Sequence, residues 1–144
     1  MNNNSLFYTC SLLEYIGRAT KNSNKDVVKY MEPDISRIYS HADVFHCEPI
    51  AKVADDFITR NNIPQGTYDN ISKAKYLVPD YWDIGEVFSR LIEDAYDDGE
   101  EVRGIIEVYS SWLAERIQNY NSDLYYQPRD YIAQCYKEGK ILAS

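Results

Sequence analysis

Apolar residues recur every three or four positions along most of the chain, which is the spacing of one face of an α-helix. The longest such run covers residues 79–120 and has two halves, separated by an acidic turn around Asp98 and Gly99. The apolar positions of the two halves are Trp82, Ile84, Val87, Phe88, Leu91, Ile92, Ala95 and Tyr96, and then Val102, Ile105, Ile106, Tyr109, Trp112, Leu113, Ile117 and Tyr120. The pattern predicts an antiparallel helical hairpin with arms at about 80–97 and 99–120, because a short loop forces consecutive helices to run in opposite directions.

Capping residues support this hairpin. Asp80 is placed to cap the first arm, and Asp98 is placed to cap the second, with Glu101 three residues later as in a capping box. A turn centred at Asp98 sets Gly85 opposite Trp112. We therefore expect the Trp112 ring to pack over Gly85, where the missing side chain lets two helices approach.

Shorter helices are predicted on both sides of the hairpin. Ser5 is expected to cap a helix over 5–19, and Ser23 a short helix that ends at Pro33, because a proline disfavours helix at the preceding residue. Further helices are expected from Asp34, from Pro49 to about Asn61, and from Pro128 to a C-cap at Gly139, with a single turn after Ser122. Residues 71–78 fit either a short helix or an extended connection. The total is six to seven helices in one all-α domain over residues 1–144.

Net charge limits the classes of partner, and cysteine content indicates the cellular location. The 144 residues carry a formal net charge of −8, which disfavours nucleic acid and anionic membranes and is compatible with a basic partner. No apolar run approaches the roughly 18 residues of a membrane span. The cysteines Cys10, Cys47 and Cys135 are odd in number and scattered, which favours a reducing cytoplasmic location.

Tyrosine is the one residue type in clear excess, with 14 tyrosines against four phenylalanines. Tyrosine and arginine are enriched at binding hot spots. The candidate partner-binding residues are therefore Tyr125, Tyr126, Arg129 and Tyr131. An equally balanced alternative is that Tyr125 and Tyr126 close the end of the bundle.

An acidic cluster surrounds the hairpin turn and consists of Glu93, Asp94, Asp97, Asp98, Glu100 and Glu101. It could bind a cation or contact a basic partner. The ligand positions of an EF-hand calcium loop are absent, and helix capping accounts for Asp98 and Glu101. A solvated, partly capping face is the favoured interpretation.

A second cluster, His41, His46, Cys47 and Glu48, contains side chains that can act as metal ligands or as a nucleophile. The metalloprotease helix places two histidines four residues apart with a glutamate between them, whereas these two are five apart. The sequence therefore predicts no catalytic residue, no metal ligand and no cofactor. A small metal-dependent or cysteine enzyme built on His41, His46 and Cys47 is kept as an alternative.

A helix-turn-helix over about 50–76 is a further alternative. A helix from Ile50, a polar turn containing Gly66 and a following segment with Lys73 and Lys75 resemble a DNA-reading pair. A recognition helix normally presents several basic or amide side chains to the groove, which this segment lacks.

Two stretches, LLEYIGRATKN at 12–22 and YWDIGEVFSRLI at 81–92, carry a resemblance. They resemble short uncharacterised proteins of low-GC Gram-positive bacteria. Such proteins are similar to components encoded near small toxin or mobile-element genes. The resemblance implies an antitoxin, immunity or inhibitor role and brings no site residues.

The leading hypothesis is a non-catalytic module that binds another protein, either basic or a toxin. It rests on the acidic charge, the tyrosine excess and the resemblance. The sequence leaves a homo-oligomer open and does not identify the partner.

Overall fold

The computed structural model describes residues 3–143, which form an all-α bundle without a strand in that range. Its helices are α1 (Asn4–Thr20), α2 (Asn24–Ser40), α3 (Ala42–Phe45), α4 (Ile50–Arg60), α5 (Tyr81–Ala95), α6 (Glu101–Tyr109), α7 (Trp112–Ile117) and α8 (Arg129–Glu138), with a 3-10 turn at Leu124–Tyr126. The predicted all-α class is confirmed. None of these helices is both long enough and apolar enough to cross a membrane.

The centre of the bundle is the pair α1 and α5, which packs more extensively than any other pair of described helices. A methyl group placed on Gly85 of α5 would lie 2.8 Å from the Cα atom of Ser11 in α1. The two backbones approach this closely because glycine has no side chain. The expected contact between Gly85 and the Trp112 ring is wrong, since Ser11 occupies that position. The chain is therefore organised around two helices distant in sequence rather than around the hairpin.

The first arm of the hairpin is confirmed as α5, and Asp80 caps it in a capping box with Asp83. The second arm is broken into α6 and α7 at Ser110 and Ser111. The Ser111 hydroxyl donates to the Val108 carbonyl at 2.6 Å, a local bond that competes with continued helix.

The expected cap at Asp98 is also wrong. Glu100 occupies the N-cap position of α6 without a side-chain bond. Instead, the Glu101 carboxylate accepts from the Gly99 amide at 2.9 Å. The turn is therefore stabilised by Glu101, the first residue of α6, rather than by a capping residue before the helix.

Two predictions at the start of the chain also need correction. Asn3, not Ser5, caps α1, and its side chain accepts from the Leu6 amide. Ser23 caps α2 as expected, but α2 continues through Pro33 to Ser40. The buried positions on this helix keep the helical spacing on both sides of the proline and are Asn24, Val27, Val28, Met31, Asp34, Ile35 and Ile38. Packing of that continuous face outweighs the roughly 3 kcal/mol cost of a proline inside a helix.

Residues 61–80, here called the irregular segment, contain turns and bends but no helix or strand. The segment is held against the end of α1, where Gly66 N–H donates to the Thr20 carbonyl at 2.7 Å and Tyr68 N–H to the Lys21 carbonyl at 2.9 Å. The helix-turn-helix over about 50–76 is therefore wrong in its second helix, because no helix lies between α4 and α5.

Candidate functional site

Tyr125 and Tyr126 line a shallow cleft of about 200 Å³ together with Arg129 and residues of α5. We call this surface the tyrosine cleft and define it by Val87, Arg90, Tyr125, Tyr126 and Arg129. Three of the four predicted partner-binding residues thus lie together. The fourth, Tyr131, is not among the residues that line the cleft, and its hydroxyl donates to the Leu142 carbonyl at 2.7 Å.

The cleft tyrosines Tyr125 and Tyr126 form a ladder of edge-on ring contacts with Tyr120, which leads from the core to the surface. The ring centroids of Tyr120 and Tyr125 are 5.7 Å apart, and those of Tyr125 and Tyr126 are 5.0 Å apart. Tyr120 is buried, Tyr125 is half-buried, and Tyr126 is 67% exposed. Tyr125 therefore closes the bundle, whereas Tyr126 is held by its neighbour with most of its ring available to a partner.

A larger groove of about 650 Å³ adjoins the cleft. We call it the acidic groove and define it by Glu93, Asp94, Asp98, Glu101 and Arg129. Arg129 lines both surfaces. Its guanidinium donates to both carboxylate oxygens of Asp94 at 2.9 Å and lies 3.6 Å from the Glu93 carboxylate. Four carboxylates that the sequence pattern assigned to capping and solvation therefore share one concave surface.

The irregular segment presents two further apolar side chains to solvent. Leu77 is 91% exposed and Tyr76 is 68% exposed. The backbone just before them is held by Asn121, whose side chain accepts from Lys75 N–H at 2.7 Å and donates to the Lys73 carbonyl at 3.3 Å. Asn121 follows Tyr120, so the segment adjoins the base of the tyrosine ladder.

The residues of the metal or cysteine hypothesis do not converge. His41, His46 and Cys47 are all exposed, and the Cys47 thiol donates to the Asp43 carbonyl at 3.4 Å. The His46 ring lies edge-on to Tyr8 with centroids 5.9 Å apart. Within residues 3–143, no group of three or more His, Cys, Asp or Glu side chains is placed to hold a metal ion.

The structure also contains a polar site that sequence reasoning missed. A cavity of about 270 Å³ lies between α1 and the irregular segment, and we call it the Glu14 cavity. Its charged lining residues are Glu14, Arg18, Lys21 and Asp69, and its neutral lining includes Asn70 and Gln118. The lining therefore contains two acidic and two basic side chains.

Glu14 is only 2% exposed. Its Oε1 accepts from the Tyr120 hydroxyl at 3.2 Å, and its Oε2 has no hydrogen-bond partner. Burial raises the pKa of the Glu14 carboxyl to about 7, and the nearby Arg18 guanidinium and the Tyr120 hydroxyl oppose that rise. A carboxyl with this pKa changes between its neutral and its charged form near neutral pH.

Arg18 lines the cavity together with Glu14. Its Nη2 donates to the Pro79 carbonyl at 2.6 Å and to the Tyr120 hydroxyl at 2.9 Å. Its Nε is buried without a partner. Two residues that line the cavity therefore each carry a buried polar atom without a hydrogen-bond partner, an acceptor on Glu14 and a donor on Arg18.

A signal for this site exists in the sequence. Glu14 lies four residues after Cys10 and between Leu13 and Ile16, which places a carboxylate on the predicted apolar face of α1. Its i,i+4 spacing to Arg18 resembles an ordinary solvated pair. The buried Glu14 differs from such a solvated pair only because the irregular segment covers it, and that segment has no periodic sequence pattern.

Comparison of the chain with protein-family models, curated proteins and solved structures finds no match.

Proposed function

We propose that this protein is a non-catalytic binding module, an acidic partner of the antitoxin, immunity-protein or inhibitor type, which binds a basic protein through the tyrosine cleft and the acidic groove. The observation that carries the proposal is the shared wall at Arg129, which joins an exposed aromatic ring and four carboxylates into one surface. The resemblance of residues 12–22 and 81–92 supports the antitoxin or immunity role.

Tyr126 has the properties of an anchor residue. Its ring is 67% exposed and is supported edge-on by Tyr125, so little side-chain freedom is lost when a partner covers it. Large aromatic side chains held in this way dominate the binding energy of many interfaces. We therefore assign the affinity of the complex mainly to Tyr126.

The acidic groove supplies the electrostatic part of the interaction. Arg129 neutralises Asp94 and is close to Glu93, whereas Asp98 and Glu101 lie farther along the groove. Carboxylates around an apolar anchor speed association with a basic partner and disfavour acidic ones. The net charge of −8 acts in the same direction over longer distances. The proposal includes a cytoplasmic location, in line with the scattered cysteines.

Site-specific photo-crosslinking in the native host tests the proposal. A photo-reactive amino acid replaces Tyr126, and in a matched control it replaces Val44 on α3, which is similarly exposed at 62%. We expect one basic protein to be captured from position 126 and not from position 44.

The captured protein is then purified and titrated against the wild type and defined variants. We expect Tyr126→Ala to weaken binding at least tenfold, and Asp98→Asn with Glu101→Gln to reduce the salt dependence of the affinity. Asp55→Asn with Glu32→Gln removes two exposed carboxylates outside the groove and serves as the charge-matched control. Equal capture at both positions, or a captured protein whose affinity is independent of salt and of Tyr126, contradicts the proposal.

A further inference from the structure

We propose that a pocket at the N-terminal end of α1 binds a small organic cation of the quaternary-ammonium class. We call it the aromatic pocket and define it by Phe7, Tyr8, Asp43, His46 and Trp82. The aromatic rings contact the methyl groups of the cation, and the Asp43 carboxylate balances its charge. The pocket adjoins the acidic groove, but the proposal does not rest on the protein-binding function.

The composition of the lining carries the argument. Half of the residues that line the pocket have aromatic rings, and Asp43 is the one acidic or basic side chain among them apart from His46. The face of an aromatic ring is electron-rich and attracts a cation, which is the basis of quaternary-ammonium recognition. A volume of about 430 Å³ lies within the range of small-molecule sites. The pocket therefore combines the size, the rings and the charge that such a ligand needs.

The rings are held in place by one another. Phe7 of α1 and Trp82 of α5 have centroids 5.5 Å apart, with ring planes inclined by 47°. On its other side Trp82 packs against Tyr81, with centroids 5.1 Å apart. Phe7 and Trp82 are both half-buried, so packing fixes each ring while part of its surface stays open. A pocket that is already formed loses little side-chain freedom when a ligand enters.

The charge of the site favours a cation over an anion. Asp43 is exposed, and among residues 3–143 its carboxylate has neither an ion-pair partner nor a hydrogen-bond donor. The N-terminal end of α1 opposes this preference with roughly half a positive charge. That partial charge is smaller than the full charge of Asp43, and the Asn3 side chain accepts from the Leu6 amide there.

The aromatic lining also distinguishes a quaternary from a primary ammonium group. A primary ammonium group has three N–H donors, and each needs an acceptor when it leaves water. Aromatic rings supply no conventional acceptor. A trimethylammonium group has no donor and presents methyl groups to the rings, so its burial leaves no hydrogen bond unmade.

Fluorescence titration of the full chain with three probes of similar shape tests the proposal. The chain has two tryptophans, and Trp112→Leu leaves Trp82 as the reporter in the pocket. The probes are choline, its neutral isostere with a tert-butyl group in place of the trimethylammonium group, and pivalate as the anion. Each is added at millimolar concentration and constant ionic strength. We expect choline to bind at least fivefold more tightly than the neutral isostere, and pivalate to bind most weakly.

Two variants, each with a matched control, locate the binding by calorimetry. Trp82→Leu removes one ring, and we expect at least a fivefold loss of choline affinity relative to wild type. Trp112→Leu is its control, since Trp112 is also half-buried but does not line the pocket, and we expect no change.

Asp43→Asn removes the charge at an exposed position, so it keeps the test valid if Trp82→Leu fails to fold. We expect choline to bind about threefold more weakly to this variant. Asp98→Asn is the control, because it removes an exposed carboxylate from the neighbouring acidic groove. At physiological ionic strength we expect it to leave the choline affinity unchanged.

Three outcomes overturn the proposal. The first is that choline does not bind to the folded wild type at millimolar concentration, in which case the rings only close this end of the bundle. The second is that the neutral isostere or pivalate binds as tightly as choline. The third is binding that Asp43→Asn and a folded Trp82→Leu both leave unchanged. Because these titrations contain no protein partner, they separate a failure of this inference from a failure of the proposed function.

Discussion

Two carboxylate–arginine neighbourhoods in this protein use the same chemical groups in opposite environments. Glu14 and Arg18 lie one helical turn apart on α1 beneath the irregular segment, with Glu14 almost fully buried. Asp94 of α5 and Arg129 of α8 form an ion pair with two hydrogen bonds at the protein surface. The surface pair has good geometry and is open to solvent, whereas Glu14 and Arg18 both bond to the Tyr120 hydroxyl and each keeps one buried atom without a partner.

The contrast shows how burial changes the role of a charge. An exposed ion pair is screened and contributes little to folding, so its value lies in recognition. A buried carboxyl strongly affects stability, because loss of any compensating group leaves a charge without solvent. The same substitution at the two arginines should therefore have very different effects.

The largest effect is expected for Arg18→Met. This substitution removes the cation beside Glu14 and the donor to the Pro79 carbonyl and the Tyr120 hydroxyl. We expect a loss of about 3 kcal/mol in the free energy of unfolding at pH 8, measured by chemical denaturation. The loss should be smaller at pH 5, where Glu14 is protonated. An equal loss at both pH values would contradict the electrostatic part of this account.

The next effect is the pH dependence of stability that Glu14 itself produces. Burial raises the pKa of its carboxyl from 4.5 to about 7, so the folded protein binds the proton more tightly than the unfolded chain does. This contribution to stability is complete below about pH 4.5 and is lost as the pH rises through 7. At about 1.4 kcal/mol per pKa unit, the loss is about 3 kcal/mol.

Glu14→Gln isolates this contribution. We expect the variant to gain stability relative to the wild type as the pH rises from 5 to 8, with the difference given by urea denaturation at each pH. Glu86→Gln, in the exposed i,i+4 pair of Glu86 and Arg90, should show no such trend. A difference between wild type and Glu14→Gln that stays constant over this range would refute the assignment.

The sequence predictions are correct for much of the local structure and wrong for the long-range packing. The helices α1, α4, α5 and α8, the Asp80 and Ser23 caps and the Gly139 C-cap follow from short-range spacing and capping chemistry, and the structure confirms them. The pairing of α1 with α5 could not be read in this way. It depends on Gly85 meeting Ser11, two residues 74 positions apart, and helical periodicity has no information on which faces meet.

The candidate sites divide similarly. Tyr125, Tyr126 and Arg129 are close in sequence, and composition alone was sufficient to group them. The Glu14 cavity was missed, because its wall is the irregular segment and nothing in the local sequence predicts where such a segment lies. Pro33 and Asp98 show the limit of local rules, since tertiary packing overrode the first and Glu101 replaced the second.

A third prediction concerns the cover of the buried pair. A methyl group on Gly66 would collide with the Asn22 side chain and the Lys21 carbonyl, so Gly66→Ala should push the irregular segment away from α1. We expect a loss of about 1–3 kcal/mol in stability. With water admitted to the cavity, the pKa of Glu14 should also fall toward its ordinary value, as measured by a carbon-13 NMR titration of the carboxyl. Gln65→Ala at the exposed neighbouring position should change neither quantity. If Gly66→Ala leaves the Glu14 titration unaltered, the segment does not control the burial of this carboxyl.

The smallest effect on folding is expected for Arg129→Met, the counterpart of Arg18→Met. The Asp94 and Glu93 carboxylates that it leaves behind are partly exposed, so water replaces the lost donors. The loss in the free energy of unfolding should be less than about 1 kcal/mol by chemical denaturation, and added salt should reduce it further.

Arg129→Met should strengthen the attraction of a basic partner, although it slightly weakens folding. Removal of a cation from the wall between the acidic groove and the tyrosine cleft makes the surface more negative, so association with a basic partner should become faster at low salt. A variant that is as unstable as Arg18→Met would mean that the surface pair also supports the fold, and the distinction between a buried pair for stability and an exposed pair for recognition would be lost.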